Sequence, residues 1–396
     1  MKTDRIYYTD PYAREFDATV VSVEPNGDGR FTTLLDRTAF YPTSGGQPFD
    51  IGDLGEARVI EVIDREDGTI AHVTDREVPA GPVHGRIDWA RRFDHMQQHT
   101  GQHILSAAFA RLFSVRTESF HLGSVSSTID LAREVTPAEM AAAESDANRI
   151  IWEDRPVTIR FADAAEVAKM LRKESKREGE LRLIDVTDFD VSACGGTHVS
   201  RTGGIGVIAI AGFERFRGGT RIEFLCGGRA LDGYRTLRGA VVESTRLLSV
   251  LPSELPAAIG RVQTEAKDLK RQLKDAQSRL ALVEASELAA AAKPHGERRV
   301  TVKALEGWDP NGLKTIASSI AERAGHVVVL LGTPAPASIV VARAANVSVD
   351  SGAIVKAMAA KFSGKGGGKP ELAQGGGLQG SIDDMVATAR ELLTSE

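Results

Sequence analysis

Two short segments, about ninety residues apart, carry residue types that bind transition metals: His99-Thr-Gly-Gln-His103 and Cys194-Gly-Gly-Thr-His198. Two histidines four residues apart lie on one face of a helix, where both imidazoles can reach one ion. A cysteine and a histidine that bracket two glycines suit a tight turn that folds back on the same point. Cys sulfur and His nitrogen are the usual zinc ligands, and four of them complete a tetrahedron. The two half-sites together predict one Zn²⁺ per chain, held by His99, His103, Cys194 and His198.

Each half-site is weak by itself, because two histidines at this spacing also occur as solvated residues on an exposed helix face. His95, one turn before His99 on the same face, is a spare ligand, a base beside the ligands, or a surface or capping histidine. Gln102, inside the first half-site, is a candidate to face a pocket. Cys226, in Phe224-Leu-Cys-Gly-Gly, is interpreted as a small buried apolar residue.

The composition is typical of a globular protein. The 396 residues are 42% hydrophobic and 26% charged, as in soluble chains, and this length allows about two to four domains. The chain start lacks a signal-peptide core, and no apolar run reaches the roughly 20 residues of a membrane span. Two cysteines exclude a disulfide framework and fit a reducing compartment. We therefore expect a cytoplasmic protein with no membrane partner.

The net charge of −5 argues against non-specific binding to nucleic acid, which needs a broad basic surface. Three local basic clusters remain, each of which can also be the solvated face of a helix: Lys169, Arg172, Lys173, Lys176, Arg177 and Arg182; Arg215, Arg217 and Arg221; Lys361, Lys365 and Lys369. Three such clusters beside a metal site of hydrolase type favour a substrate that carries phosphate.

The helices and strands expected around these residues indicate a multidomain α+β protein. Its four predicted domains are 1–88, 89–248, 249–296 and 297–396. Four short β-branched runs separated by turn clusters predict a small β-barrel in the first domain: Ala18–Val23, Phe31–Leu35, Ala57–Ile63 and Thr69–Val73. Between two of these runs, Phe40–Pro48 is too glycine-rich to be a strand. We expect a loop there, with Gly45 and Gly46 allowing close approach of the backbone to another group.

The second domain is predicted to mix helices and strands and to carry both half-sites. The first half-site lies in a predicted helix, Asp94–Phe113, whose apolar residues are spaced for one buried face: Ile104, Leu105, Ala108 and Leu112. Further helices are expected at Pro137–Trp152, with a capping box of Thr136 and Glu139, and at Ala164–Glu174. Strands are expected at Ser126–Leu131, Leu181–Val186, Gly206–Ile210 and Thr220–Leu225. The second half-site then falls in a loop between strands.

Apolar residues of the third domain are separated alternately by three and four positions over about three and a half heptads. This spacing is the a/d pattern of a coiled coil. The residues are Ile259, Val262, Ala266, Leu269, Leu273, Ala276, Leu280 and Val283. The pattern predicts a long coiled-coil helix over 254–292. Its apolar seam needs a partner, either another protomer or a helix of the same chain.

The last domain is predicted to be a compact α/β unit. Strands are expected at Arg299–Leu305, Val327–Leu331 and Ser338–Arg343, and helices at Leu313–Ala324, Gly352–Phe362 and Ile382–Thr394. Between the last two helices, the glycine-rich segment 364–378 matches neither a Walker A motif nor a dinucleotide fingerprint. It is either a flexible linker or a backbone-lined phosphate cradle flanked by Lys365 and Lys369.

These motifs resemble those of the freestanding alanyl-tRNA editing proteins, the AlaX group, in their long form, which are relatives of the editing domain of alanyl-tRNA synthetase. Phe40–Gln47 resembles the Gly-Gly-Gln motif of the barrel that precedes the editing domain. Arg92–Ala108 and Ser192–Gly203 resemble the two zinc half-sites. Residues 299–396 resemble the DHH-associated C-terminal domain, which a coiled-coil arm also precedes in the synthetase. The resemblance covers nearly the whole chain, and the pair of half-sites is its most specific part.

The resemblance implies a hydrolase that removes a wrong amino acid, serine first and glycine second, from the alanine tRNA. A pocket built for alanine cannot strongly reject serine, which adds one hydroxyl, or glycine, which is smaller. About 88 residues precede the editing region, too few for a class II aminoacylation domain, so we expect editing in trans without ATP. Zinc would activate a water and polarise the ester carbonyl. Alternatively, it would mainly orient the substrate while an ordered water attacks, because four protein ligands close a site.

The resemblance also assigns residue roles. Thr117 falls where the family places a threonine that recognises the serine hydroxyl, although a plain strand residue is the alternative. His121 stands where synthetase editing domains carry a glutamine. The catalytic candidates are His99, His103, Thr117 and Gln102, and the candidates for binding substrate and tRNA are Gly45, Gly46, Gln47, His121, Lys365 and Lys369.

Alternatives from other classes stay open. A non-catalytic, zinc-stabilised tRNA-binding protein would share the zinc, the barrel and the tail but would release no serine from tRNA. A metallohydrolase of small esters or peptides would act on free amino-acid esters, but the Gly-x-Ser-x-Gly and His-Glu-x-x-His motifs of such enzymes are absent. A homodimer through the coiled coil or the C-terminal domain is a further expectation.

Overall fold

The computed structural model describes residues 2–163 and 180–394. The chain divides into two compact units, Met1–Ser244 and Thr245–Glu396, and both combine helices with β-sheet, in agreement with the predicted mixed fold. The helix predicted at Ala164–Glu174 and the basic residues from Lys169 to Arg177 lie outside the described residues. Within the described ranges, no helix is long and apolar enough to cross a membrane.

The first eight strands and one short helix precede residue 88. They are β1 Asp4–Arg5, α1 Ile6–Thr9, β2 Glu15–Pro25, β3 Phe31–Leu35, β4 Arg37–Thr38, β5 Gly52–Leu54, β6 Ala57–Asp64, β7 Ile70–Thr74 and β8 Gly81–Ile87. Six of the strands close a barrel in the order β2-β3-β7-β6-β5-β8, so the predicted barrel is confirmed. Strands β5 and β8 were not predicted, because β5 has three residues and β8 contains two glycines and a proline, residues that are depleted in strands.

Two helices, α2 (Trp89–Phe113) and α3 (Pro137–Trp152), contribute to the main core of the first unit. Helix α2 begins earlier than predicted because the Asp88 side chain caps it by accepting from the Arg91 amide. Helix α3 and its capping box match the prediction. The prediction that Leu112 lies on the buried face of this helix is wrong. Leu112 is 47% exposed, because it lies in the last turn of α2, where the helix surface is no longer covered.

Two further sheets complete the first unit. Their strands are β9 Thr117–Leu122, β10 Ser127–Leu131, β11 Val157–Asp163, β12 Glu180–Val186, β13 Asp190–Ala193, β14 Ile208–Phe216 and β15 Gly219–Cys226. One sheet has the order β14-β15-β10-β9 and the other β11-β12-β13. Strand β14 begins at Ile208 rather than Gly206, because a 3-10 turn over Thr202–Ile205 precedes it. Helix α4, Gly227–Leu248, follows β15.

The second unit contains a six-stranded sheet. After the 3-10 turn Pro252–Glu254, its elements are α5 Leu255–Ala290, β16 Lys293–His295, β17 Arg298–Glu306, α6 Pro310–Ala321, β18 His326–Thr333, β19 Ala337–Arg343, α7 Ser351–Lys361, β20 Lys365–Gly368, β21 Leu372–Leu378 and α8 Ile382–Thr394. The sheet order is β16-β17-β18-β19-β21-β20. The three predicted strands and three predicted helices of this region are all present.

The glycine-rich segment 364–378 is neither a linker nor an open loop. Strands β20 and β21 form an antiparallel hairpin, and β21 pairs with β19. Several glycines are required by close packing: a Cβ at Gly366 would lie 2.6 Å from both the Gly375 Cα and a methyl group of Val355. The interpretation of this segment as a flexible linker is therefore wrong, while its role as a phosphate cradle flanked by Lys365 and Lys369 stays a prediction.

Helix α5 confirms the long helix predicted over 254–292. Near its C-terminal end, small residues four apart pack against the second unit's core: Ala281, Ala285 and Ala289. The large heptad residues lie on another face and are 44–64% exposed: Ile259, Val262, Leu269, Leu273, Leu280 and Val283. The coiled-coil pairing of this seam stays a prediction.

Candidate active site

The two predicted half-sites meet inside the first unit. Helix α2 presents His99 and His103, and the turn after β13 presents Cys194 and His198; their ligand atoms all lie within 4.8 Å of one another. The Cys194 Sγ is 3.4 Å from the Nε2 atoms of both His99 and His198. A tetrahedron with ordinary Zn–S and Zn–N bonds has S···N edges of roughly 3.6 Å. The donor types and spacing therefore fit a zinc ion.

Each imidazole has its Nδ1 directed toward a protein acceptor. The His99 Nδ1 lies 2.9 Å from Gln47 Oε1, which can only accept, so that Nδ1 carries the proton. Thr100 donates its hydroxyl to the Met96 carbonyl, so it accepts from the His198 Nδ1 at 3.2 Å. The His103 Nδ1 lies 3.7 Å from an Asp190 carboxylate oxygen.

Histidines that bind metals commonly donate their second ring nitrogen to an oxygen acceptor, which fixes the tautomer and leaves the first nitrogen free to bind. Two of the three imidazoles follow this pattern, with Gln47 as the acceptor for His99 and Thr100 for His198, while the Asp190 carboxylate faces His103 at longer range. Sequence reasoning did not identify Gln47, Thr100 or Asp190 as neighbours of these histidines, because they approach them only in the folded chain.

The electrostatics of the cluster also suit a cation. Burial alone would raise the pKa of the Cys194 thiol, but the His99 and His198 imidazoles outweigh burial and hold that pKa well below its ordinary value. Burial would lower the pKa of His103, but the neighbouring Asp190 carboxylate and Cys194 thiol raise it to about 9. Burial and the neighbouring His99 lower the pKa of His198 well below its usual range. A buried thiolate requires positive charge beside it, and the thiolate is the form of cysteine that binds metals.

The turn that carries Cys194 is tightly constrained. A Cβ at Gly196 would lie 2.2 Å from the His99 ring, so this position needs glycine. The Arg182 guanidinium, on β12, donates to the carbonyls of Cys194 at 2.7 Å and Gly196 at 2.9 Å. Arg182 is buried on a strand, so the alternative that it belongs to the solvated face of a helix is wrong.

The metal cluster borders a cavity of about 900 Å³. Its wall includes parts of the barrel, helix α2, strand β9 and the cysteine turn. Of the predicted site residues it includes Gly45, Gly46, Gln102, His103, Thr117 and Cys194. The cavity therefore joins the predicted glycine loop, the first half-site and the predicted selectivity residue.

Thr117 faces the cavity because strand β9 contains a bulge. The register with β10 skips Glu118, so that Thr117 pairs with Leu131 and comes onto the same face as Phe120 and Leu122. The Thr117 hydroxyl donates to Ser106 Oγ on α2, and Gln102 Nε2 contacts the same oxygen, both at 2.8 Å. Gln102 Oε1 is buried and, within residues 2–163 and 180–394, has no hydrogen-bond partner. Ser106 is a site residue that sequence reasoning missed.

The bulge also places Thr117 and His121 on opposite faces of β9. His121 pairs with Thr128 on the opposite face of β9, is exposed, and is absent from the cavity wall. The structure does not bring His121 to the predicted substrate site. His95 is buried on α2 but does not belong to the cluster of four ligands, and burial lowers its pKa to about 4.

The glycine loop docks against strand β9. Gly46 accepts a hydrogen bond from the Leu122 amide, and a Cβ on Gly46 would lie 2.7 Å from the Phe120 ring. Gln47 is fully buried, and both atoms of its amide are engaged: Nε2 donates to Thr197 Oγ1 at 2.8 Å, and Oε1 accepts from the Thr197 amide at 3.0 Å. Gln47 therefore supports the metal ligands, and its prediction as a substrate-binding residue is corrected.

A buried ion pair joins the barrel to α2. The Arg92 guanidinium contacts Asp50 and donates to the carbonyls of Pro11 at 2.8 Å and Ala39 at 2.5 Å. Both side chains are fully buried. Removing one partner would leave an uncompensated buried charge, which is strongly destabilising, so this pair fixes the glycine loop relative to the histidines.

Some residues of the predicted basic clusters have polar partners in the protein, and others are exposed. Arg221 pairs with Asp130 at 2.7 Å, and Lys361 donates to the Thr388 hydroxyl at 2.9 Å. Lys365 and Lys369 are exposed in the second unit. Cys226 is buried against Gly101 of helix α2, where a Cβ would lie 2.3 Å from its sulfur, in agreement with its predicted packing role.

Known families match the middle and the C-terminal part of the chain. The family described as "Threonyl and Alanyl tRNA synthetase second additional domain" matches residues 181–223, and the DHHA1 domain matches residues 297–395. The "Alanine--tRNA ligase" of Methanoregula boonei is 34% identical over 98% of this chain. The chain spans only 43% of that ligase, and 42% of the Pyrococcus furiosus ligase, with which it is 32% identical over 94% of its own length.

A freestanding relative matches along its whole length. The "Alanyl-tRNA editing protein AlaX-L" of Pyrococcus horikoshii is 31% identical to this chain, and the alignment covers 99% of this chain and 98% of the relative. The family expected from the motifs is therefore confirmed. The chain belongs to the alanyl-tRNA editing proteins of the long AlaX form.

Proposed function

We propose that the chain is a zinc-dependent aminoacyl-tRNA hydrolase that removes serine, and secondarily glycine, from mischarged tRNA(Ala) in trans. The observation that carries the proposal is that a four-residue metal cluster and Thr117 border one cavity of about 900 Å³. This volume lies within the range of roughly 300–1,000 Å³ typical of ligand pockets. Membership of the alanyl-tRNA editing family supports the same substrate class.

The reaction is hydrolysis of an ester. The oxygen of a water molecule adds to the carbonyl carbon, the bond from that carbon to the ribose oxygen breaks, and the ribose oxygen takes a proton from the water. The products are the free amino acid and tRNA with its terminal hydroxyl restored. A bound Zn²⁺ would supply polarisation of the ester carbonyl or orientation of the substrate.

The chain's own residues would hold and select the substrate. His99 and His103, with Cys194 and His198, would hold the metal against the cavity, and Gln47 and Thr100 keep the imidazoles of His99 and His198 in one tautomer. The glycine loop at Gly45 and Gly46 would admit the substrate close to the backbone.

Selection would depend on Thr117 and Gln102. The Thr117 proton is directed to Ser106 Oγ, so the lone pairs of the Thr117 oxygen can accept from the hydroxyl of a seryl group. The unpartnered Gln102 Oε1 is a second acceptor at the cavity. An alanyl group offers a methyl group in place of a donor, and a site built to bind a hydroxyl rejects a substrate that lacks it.

The second unit would bind the body of the tRNA and join two chains. Lys365 and Lys369 are exposed cations at the two ends of β20, suited to phosphate contacts. The exposed heptad face of α5 would pair with the same helix of a second protomer. Charges beside the seam favour a parallel homodimer. In a parallel coiled coil, the residue before an a position (g) pairs with the residue after a d position (e) that lies five positions further on in the partner helix. These pairs are Glu265 with Lys270, and Arg279 with Glu284.

The experiment that tests the proposal measures the release of labelled serine, glycine and alanine from tRNA(Ala) by the full-length, zinc-loaded chain. We expect rapid release of serine, slower release of glycine and survival of Ala-tRNA(Ala). Equal rates for serine and alanine would remove the basis for an editing function.

A non-catalytic, zinc-stabilised tRNA-binding protein is the second candidate, because a zinc site closed by four protein ligands is usually structural. It would bind Ser-tRNA(Ala) without releasing serine. The release assay therefore separates the two candidates.

A further inference from the structure

Arg182 has a donor group that its surroundings leave unused. Its side chain lines the cavity but is only 8% exposed. Nε donates to the Tyr8 carbonyl at 2.9 Å, and Nη1 donates to the two carbonyls of the cysteine turn. Nη2 is buried and has no hydrogen-bond partner among the residues that the structure describes. Since guanidinium nitrogens only donate, Nη2 calls for an acceptor from outside the described protein atoms.

Arg182 also lacks a carboxylate partner. No ion pair joins its guanidinium to an acidic side chain within the ranges 2–163 and 180–394. Arg92, which is equally buried, is paired with Asp50. A buried guanidinium N–H without an acceptor is unfavourable unless a further group completes the site.

The reaction proposed above supplies such a group at this position. An aminoacylated tRNA end carries phosphodiester oxygens, and hydrolysis of its ester places negative charge on the carbonyl oxygen as the water adds. Nη1, which holds the cysteine turn, and Nε, which holds the Tyr8 carbonyl, are on the same rigid guanidinium as Nη2. That guanidinium is therefore pre-positioned, and positioned donors act strongly where charge develops.

We propose that Arg182 is a substrate-binding residue whose Nη2 donates to an anionic oxygen of the aminoacylated 3′ end, while Nη1 holds the metal-binding turn and Nε holds the Tyr8 carbonyl. The inference rests on the proposed function. The anionic oxygen is either the developing oxyanion of the ester or a phosphodiester oxygen of the terminal nucleotide, and the two sources predict different kinetics.

The test uses full-length Arg182→Ala and Arg182→Lys, with Arg149→Lys as a matched control. Arg149 is an arginine of helix α3 that pairs with Asp146 and Glu153 on the exposed surface. For each protein, zinc content and thermal unfolding report on the structural role. The kinetic parameters kcat and KM are measured on Ser-tRNA(Ala) and on 3′-O-seryl-adenosine, which has no phosphate, with and without added methylguanidinium.

If Nη2 contacts the oxyanion, kcat falls on both substrates by about 10²–10³-fold in Arg182→Ala, the usual cost of losing one such donor. If it contacts a phosphodiester, KM rises on the tRNA alone by about 10- to 150-fold, since a hydrogen bond to a charged group contributes about 1.5–3 kcal/mol. In both cases zinc is retained, methylguanidinium restores part of the activity to Arg182→Ala, and Arg149→Lys behaves as the unaltered protein.

Two results would overturn the inference while leaving the proposed function intact. One is unaltered kcat and KM on both substrates in zinc-loaded Arg182 variants. The other is a loss of activity that follows zinc loss in proportion and is not restored by methylguanidinium, which would leave Arg182 with the turn alone. A parent protein that releases no amino acid from any ester would overturn the proposed function and this inference with it.

Discussion

Replacing Gln47 by methionine tests whether this residue supports the metal site rather than the substrate. Methionine has nearly the same volume but cannot accept from the His99 Nδ1 or pair with Thr197. The variant would leave the His99 Nδ1 and the Thr197 amide buried without partners, at a cost of about 1–3 kcal/mol each. His99 would also lose the contact that fixes its tautomer.

The expected effect is on zinc affinity. Loss of a residue that orients a metal ligand typically weakens metal binding by about 10–100-fold, or about 1.4–2.8 kcal/mol. The dissociation constant is measured by competition with a chromophoric chelator at a temperature where all variants are folded. Gln47→Glu keeps an acceptor oxygen for His99, and we expect it to recover most of the affinity.

Gln98→Met is the matched control. Gln98 is also fully buried on helix α2, and its amide pairs with both backbone groups of Cys226, at 2.9 and 3.1 Å. The hydrogen bonds of its side chain within the described ranges go to Asp94 and Cys226 and not to a metal ligand, so its replacement should lower stability without changing zinc affinity. Equal losses of zinc affinity in Gln47→Met and Gln98→Met, or no loss in either, would refute the role given to Gln47.

Three further outcomes are expected. Cys194→Ala and His103→Ala should lose zinc and deacylation together, measured by metal analysis and serine release; full zinc occupancy in the double variant would rule out the site. Thr117→Val should lose roughly 2- to 13-fold on Ser-tRNA(Ala), the equivalent of one net hydrogen bond, with a smaller change on Gly-tRNA(Ala); equal losses would make the residue structural. Truncation after residue 245 should weaken tRNA binding while zinc is retained, and should flatten the log–log salt dependence by about 0.7–0.9 for each lost phosphate contact; an unchanged affinity and slope would limit the second unit to assembly.

The features predicted from the sequence were those that follow from local rules. The capping box at Thr136 and the helix after it depend on residues three positions apart, and the heptad of α5 depends on spacing alone. The metal ligands were found because His-x3-His and Cys-x3-His are each local patterns with few alternative explanations in combination.

The features that were missed depend on tertiary contacts. Gln47 is 52 residues from His99, and its role appears only when the barrel loop reaches α2. Ser106 and Arg182 are ordinary residue types whose partners are set by packing. The glycine-rich segment 364–378 has the composition of a linker, but its glycines allow two strands and a helix to pack at van der Waals distance.

The most direct test of the account is serine release from Ser-tRNA(Ala) by the full-length protein as purified, after removal of zinc by a chelator, and after zinc is restored. We expect serine release to stop when the metal is removed and to resume when it is restored, with Ala-tRNA(Ala) left intact throughout. Release of serine at the same rate by a folded protein shown to contain no zinc would contradict the central claim that the four-residue cluster is the metal centre of the reaction.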